Sequence, residues 1–332
     1  MTFTESLLEK AKANPKNVIF PESEEIKVLQ CARKLNDLGI SSPILAGDPK
    51  AIEALAAAEG ISLDGVQIVD PEDEALKQDI IREYLALSDM LSEKALNRKL
   101  KTPLNLAAAM VKVGRADALA AGIVHTTGDV ILAAQMIIGM QEGISTVSSI
   151  GIAEIPGFDG SEGNLLAITD CAVNPAPNSE ELAEIAIASA ATVSSLLGWE
   201  PRVAMLTFST KGSSVHEEID KVVQAVEIAK QKQPGLKIDG EFQLDAAIVP
   251  KVAEKKVKGD SEVAGKANVI VFPNLAAGNI GVKILQIFAH TKAHGPLLQG
   301  FAKPVTDFSR SAPVEEMIGN LTMLIVRANS EG

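Results

Sequence analysis

The stretch NVIFPESEEIKVLQCARKLNDLGISSPILAG (17–47) decides the fold class. NVIF is a continuous apolar run closed by Pro21, the mark of a buried strand. EEIKVLQCARKLNDLGI (24–40) repeats its apolar residues at helical spacing and stops at Gly39, and SPILAG (42–47) supplies a second strand. Two strands joined by a helical crossover run parallel, so the chain reads as an α/β protein with a largely parallel sheet.

Working outward, residues 71–139 read as mostly helical, with Ala-rich segments at 105–121 and 129–139. GISTVSSIGIAEI (143–155) turns β-rich, and PGFDGSEGN (156–164) is dense in turn residues. The pattern then restarts: LLAITD, a helix from SEELAEIAIASAATVSSLLG with Ser179 as N-cap and Gly198 as C-cap, and the strand RVAMLTFS. A helix at about 214–232 follows, then the apolar runs DAAIVP (245–250) and NVIVFP (268–273). The last segment, from about 296, contains TDFSRSAPVEE and a helix through 327, too short to stand alone and expected to pack on the first domain. The expected domains are 1–145 plus 296–332, and 146–295.

Composition removes several function classes. The 332 residues carry 31 Lys and Arg against 43 Asp and Glu, a net charge of −12, so the surface repels a phosphate backbone. Nine Phe, one Tyr and one Trp leave no stacking platform for single-stranded nucleic acid. No apolar run reaches the 18 or so residues of a membrane span. The opening MTFTESLLEKAKANPKN lacks a basic and then apolar leader, predicting a cytoplasmic chain. Two cysteines, Cys31 and Cys171, are too few for a disulfide framework or a zinc knuckle, and no metal is expected.

The common nucleotide and hydrolase signatures are absent, which leaves polar loops at the carboxyl ends of expected strands, where open α/β sheets bind ligands. LTFSTKGSS (206–214) brings Ser209, Thr210, Lys211, Gly212 and Ser213 just ahead of a helix; hydroxyls, backbone N–H groups and an ammonium suit an anion, and a plain strand-to-helix turn explains them equally. FPNLAAGNIG (272–281) brackets Asn279 with Gly278 and Gly281, which permit close approach of a ligand or tight helix packing. HTTGD (125–129) is a polar knot in an apolar stretch, where His125 alone reads more readily as a satisfied core histidine than as a catalyst. TDFSRSAPVEE (306–316) is the most informative. Ser309 and Arg310 precede a helix with Pro313 at its first position and Glu315 and Glu316 in its first turn. The acids suit the helix dipole; together with hydroxyl and guanidinium they also form a set that can bind an oxyanion, clamp a phosphate and take a proton.

Taken together, these stretches, with AMVKVGRADALAAGIVHTTGDV, DCAVNP (170–175), DGEFQLDAAIVPKVAEKK (239–256) and GPLLQGFAKPVTDFSR, closely resemble the phosphotransacetylase (phosphate acetyltransferase) family, including its ethanolamine-utilisation branch. The resemblance implies two α/β domains with a cleft between them, the second inserted in the first, in an isocitrate-dehydrogenase-like fold, and typically a homodimer. It implies the exchange of acetyl-CoA and phosphate with acetyl phosphate and CoA, with no bound cofactor. Position by position, Ser309 matches the serine that stabilises the reacting carbonyl oxygen, Arg310 the arginine that holds the phosphoryl group, and Glu316 the carboxylate that deprotonates the CoA thiol. Thr127, Asp129, residues 209–213, Asn279 and Gly281 match the substrate-binding loops.

The chain also departs from the family pattern. Leu132 and Leu87 stand at family arginines, Val282 and Ile287 at a tyrosine and an arginine, and Ser311 and Ala312 at a Gly-Cys pair. A desolvated charge-assisted contact contributes on the order of 1.5–3 kcal/mol, so losing two weakens anion binding by roughly a hundred-fold. Two readings follow: an acyltransferase with a more apolar site, or a weakened acyl-CoA-binding or regulatory homologue.

Overall fold

The computed structural model describes residues 2–329. Along the chain come α1 (Phe3–Ala13), β1 (Val18–Phe20), α2 (Ile26–Asp37), β2 (Ile44–Ala46), α3 (Pro49–Ala58), β3 (Gln67–Val69), α4 (Glu74–Leu87), α5 (Glu93–Lys99), α6 (Pro103–Lys112), β4 (Ala118–Ala121) and α7 (Thr127–Ala133). Then follow β5 (Ser148–Glu154), β6 (Leu165–Thr169), α8 (Ser179–Leu197), β7 (Arg202–Leu206), α9 (Glu217–Lys232), β8 (Lys237–Phe242), α10 (Leu244–Ile248), α11 (Pro250–Lys256), β9 (Val269–Val271), α12 (Leu275–Phe288) and β10 (Lys292–Gln299). The chain closes with β11 (Val305–Asp307) and α13 (Val314–Asn329). It divides into two compact units, one of residues up to Glu142 together with those from Phe301 onward, the other Gly143–Gly300.

In the first unit the strand order is β3-β2-β1-β4-β11, parallel throughout. The order runs outward from β1 through β2 to β3 and then reverses to β4 on the other side, so a topological switch lies between β1 and β4, where such sheets open a crevice beyond their carboxyl ends. Val18, Ile19 and Phe20 are fully buried, as their unbroken apolar run requires of a strand covered on both faces.

The Ala-rich segment 105–121 is not one helix. α6 ends at Lys112, Gly114 turns the chain at φ 80°, and Ala118–Ala121 is the strand β4. Alanine favours a helix in isolation, but β4 is enclosed by β1 and β11 and buried along its length, and that burial overrides a propensity worth tenths of a kcal/mol per residue. The final helix packs on α1 and α2. Pro313 directly precedes it rather than occupying its first helical position.

In the second unit the order is β10-β5-β6-β9-β7-β8, with β6, β9, β7 and β8 parallel and β5 antiparallel to β10 and β6. α8 is capped one residue earlier than Ser179: the Asn178 side chain accepts from the Glu181 N–H at 3.0 Å and Glu181 Oε2 accepts the Asn178 N–H at 2.8 Å. Gly198 closes it in the left-handed conformation at φ 74°. DAAIVP does not run as a strand; its first residues belong to α10, and the neighbouring strand is β8 just upstream. Among the described residues no helix is long and apolar enough to cross a membrane.

Candidate active site

The carboxyl ends of β1, β4 and β11 lie side by side in the first unit and deliver three polar segments: Glu22 after β1, residues 122–129 after β4, and Asp307–Arg310 at the end of β11. Glu22 organises the middle segment. Its side chain is only 1% exposed; Oε1 accepts from the N–H groups of Gly122 (3.1 Å), Val124 (3.0 Å) and His125 (2.8 Å), and Oε2 from that of Ile123 (2.8 Å). His125 Nδ1 lies 2.9 Å from Oε1. Burial raises the Glu22 pKa, but the donors from His125, Val124 and Ile123 outweigh it and hold the carboxyl below its ordinary range. Gly122, at φ 113°, must be glycine, since a Cβ there would lie 2.5 Å from the Phe308 nitrogen.

The loop held by Glu22 runs into α7, whose start is a capping box. Asp129 N donates to Thr126 Oγ1 at 3.2 Å, and Asp129 Oδ2 accepts from the Thr126 N–H (3.1 Å) and hydroxyl (2.7 Å). Those Thr126 bonds lower the Asp129 pKa, and the charges of His125 and Arg310 add to the effect. Thr127 reaches across instead, donating its hydroxyl to Asp307 Oδ2 at 2.5 Å. The other Asp307 oxygen, Oδ1, is buried and accepts no hydrogen bond. Burial pushes the Asp307 carboxyl up to about 6; the Thr127 bond opposes this, Glu22's charge adds to it, and Arg310 opposes it.

Ser309 and Arg310 are exposed beyond β11. Lys27 on α2 fixes the turn by donating Nζ to the carbonyls of Arg310 (3.4 Å) and Ala312 (2.9 Å). Ser309 Oγ lies 3.0 Å from Ser311 Oγ. Among the described residues the Arg310 guanidinium has no ion-pair partner, and it acts on Asp129 and Asp307 through its field. The structure thus gathers Thr127, Asp129, Ser309 and Arg310 at adjacent strand ends. Glu316 is exposed in the first turn of α13 and, among the described residues, has no hydrogen bond or ion pair to Ser309 or Arg310. The Met317 sulfur packs 3.9 Å from the Cys31 thiol on α2, and the adjacent Glu315 acts on that thiol through its charge.

In the second unit the 209–213 turn is held by its own partners. The Ser209 hydroxyl donates to Glu241 Oε1 at 2.8 Å, which also takes the Gly212 N–H at 2.8 Å. Ser213 Oγ accepts from the Thr210 N–H at 3.1 Å, and Thr210 Oγ1 from the Gln243 N–H at 3.0 Å. Lys211 pairs with Asp239 at 2.5 Å and donates to the Gly240 carbonyl at 2.7 Å, its ammonium 5.0 Å from the Phe242 ring centre. The following helix starts at Glu217 with His216 as its N-cap, later than the expected 214. At Gly278 and Gly281 the backbone of α12 runs close to its neighbours: a Cβ at Gly278 would meet the Asp170 carbonyl at 2.3 Å, and one at Gly281 the Phe272 ring at 3.1 Å. Asn279 donates to the Cys171 carbonyl at 3.2 Å. The ends of β7 and β9 also border an apolar cavity of about 500 Å³, lined in part by Leu206, Phe208, Leu244, Phe272 and Ala277.

A family model described as phosphate acetyl/butaryl transferase matches residues 2–326. The chain belongs to that family. It is 42% identical over 334 residues to a phosphate acetyltransferase of Thermoanaerobacterium thermosaccharolyticum, covering 99% of this chain and all of the relative. A phosphate acetyltransferase of Bacillus subtilis is 42% identical over 317 residues, 95% of each chain. Among solved structures, the EutD phosphotransacetylase from Staphylococcus aureus superposes with a TM-score of 0.86 at 36% identity, covering 99% of this chain and 100% of that one. Glu22 and Asp307 are the two site residues that local reading passed over. Glu22 is the first acid after the NVIF strand, and Asp307 is the acid at the strand end before Ser309, a position that would have drawn attention to it.

Proposed function

We propose that this member of the phosphate acetyl/butaryl transferase family moves an acetyl or short acyl group between CoA and inorganic phosphate. The observation that carries the reading is an unpaired guanidinium beside an exposed hydroxyl, Arg310 and Ser309, at the carboxyl end of a parallel strand next to the switch point. In the direction of thioester synthesis, Glu316 takes the proton of the CoA thiol and the thiolate attacks the carbonyl carbon of acetyl phosphate. The Ser309 hydroxyl donates to the developing oxyanion, and the departing phosphate is held by Arg310. Neither cysteine supplies an acyl-carrying thiolate. Burial pushes Cys31 up to about 12, with Glu315 adding to the effect, and burial together with Asp170 does the same for Cys171. We propose direct transfer in a ternary complex, with no acyl-cysteine intermediate.

Thr127 and Asp129 set the floor of the phosphate site. In the second unit we assign the 209–213 turn, Asn279 and Gly281 to CoA, with the apolar cavity receiving its pantetheine arm. Leu87 and Leu132 are 63% and 53% exposed, so apolar surface stands at two positions where the family pattern has arginine, which favours a longer acyl group than acetyl. The test follows CoA release from acetyl-, propionyl- and butyryl-CoA with phosphate. Turnover that rises with chain length supports the reading. Flat traces with all three at high phosphate, together with calorimetric CoA binding, support a binding homologue instead.

Two copies are proposed to pair through α12, where Ile280, Ile284, Ile287 and Phe288 form an exposed apolar stripe at helical spacing. Sedimentation of Ile284→Glu as a monomer, against a dimeric parent, would bear this out. We propose a cytoplasmic location, in keeping with a CoA thioester and inorganic phosphate as substrates.

A further inference from the structure

The strand-end site holds three carboxylates, Glu22, Asp129 and Asp307, and among the described residues they are not equally provided for. Glu22 spreads its charge over four backbone N–H groups and the His125 ring. Asp129 has the hydroxyl and N–H of Thr126. Among the described residues Asp307 has a single donor, the Thr127 hydroxyl, and a second oxygen that is buried with nothing to accept from. Glu22 from the end of β1 and Arg310 from its own loop act on Asp307 by charge, while His125 and Arg310 act on Asp129. Lys27 of α2 is turned to backbone carbonyls.

What keeps Asp307 ionised is therefore Thr127 and the field of Arg310. An anion seated on the guanidinium offsets that field, and a half-buried carboxylate left beside Glu22 gains from protonation. We propose that Asp307 is the proton partner of Arg310: an anion that binds the guanidinium brings a proton onto the Asp307 carboxyl, so that the site's net charge stays nearly constant. The inference rests on Arg310 being the phosphate site and goes beyond it by assigning Asp307 a positioning role exerted through Arg310. The free carboxyl already lies near neutrality, pushed up to about 6 by burial. A modest further rise thus places the coupled proton in the physiological range. Below pH 6 Asp307 is protonated before the anion arrives and nothing is taken up. Between that value and the higher value of the anion-bound state, binding takes up a fraction of a proton, so affinity falls as pH rises through that window and levels off above it.

The probe is sulfate, which stays dianionic throughout, so every proton counted comes from the protein or the buffer. Full-length protein is titrated calorimetrically with sodium sulfate between pH 5.5 and 8, in buffers of different ionisation heat. The expected result is fractional proton uptake that peaks between the free and the sulfate-bound values of Asp307 and falls away on either side, with Kd rising across that window by less than about tenfold per pH unit. In Asp307→Asn the uptake disappears and Kd loses its pH dependence. Thr127→Val, which removes the only donor, moves the onset of the pH dependence upward. Sulfate bound through Arg310 with no proton uptake overturns the proposal. So does an Asp307→Asn variant that keeps the wild-type uptake, which would assign the proton to His125. Sulfate that fails to bind, or binds Arg310→Gln equally well, defeats the phosphate reading underneath.

Discussion

Replacing Glu22 by glutamine tests whether the loop after β4 is built on a charge. The side chain keeps its size, and the oxygen in the Oε1 place retains acceptors for Gly122, Val124 and His125, but the new amide nitrogen faces the Ile123 N–H across what was a 2.8 Å hydrogen bond. One buried donor loses its acceptor, at about 1–3 kcal/mol, and the remaining bonds lose their charge assistance. The expected loss is about 3 kcal/mol at pH 7, measured by urea unfolding followed by circular dichroism. The pH dependence gives a second reading. A carboxyl held below its ordinary value of 4.5 stabilises the fold above that value and ceases to do so as pH falls through the lower, folded value. Wild type and Glu22→Gln should therefore converge below pH 4.5. Equal stability at pH 7 within about 0.5 kcal/mol, or a gap that persists unchanged in acid, would refute the reasoning.

Ser309→Ala should lower turnover by about 10²–10³ with unchanged unfolding, because the hydroxyl is exposed and bonds only within its own turn; steady-state rates and urea curves decide it. Glu316→Gln should depress the rate of CoA-thiol attack while leaving phosphate KM near wild type, read from initial rates over a phosphate series. Glu184 is held near a pKa of about 2, since its bond to Lys232 and those to Ser145 and Thr146 outweigh burial. Glu184→Gln should then cost about 3 kcal/mol at pH 7, a loss that shrinks as pH falls from 4.5 towards 2 in acid-unfolding scans. Gly278→Ala, with its Cβ 2.3 Å from the Asp170 carbonyl, should destabilise by about 1–3 kcal/mol in a thermal melt.

The parts of the fold that were legible in the sequence are those where local and global preferences agree. NVIF is apolar without interruption, is closed by proline, and is buried in the structure as such a run must be. Ala118–Ala121 was not legible because its strand character comes from β1, about a hundred residues away in sequence, and from β11, farther still. At the site the same division holds. Ser309 and Arg310 stand out in one loop-to-helix segment. The partners of Ser209 and Lys211, Glu241 and Asp239, lie some thirty residues downstream, so the hydrogen bonds that shape this turn could not be read from the turn itself. Glu22 was invisible for a similar reason: its role is defined by four N–H groups about a hundred positions away.

The pairing of β11 with β4 has a consequence for how the protein is made. A ribosome that has synthesised the residues up to Glu142 has produced β4 with one edge bare and α2 without its cover from α13, so the first unit stays unfinished while the compact unit Gly143–Gly300 emerges. The open edge is sealed only after Val305–Asp307 has emerged and paired with β4, and the same segment carries Ser309 and Arg310. Nascent chains stalled short of that point would be expected to hold a folded middle and an exposed, chaperone-dependent opening third, with catalytic competence arriving last.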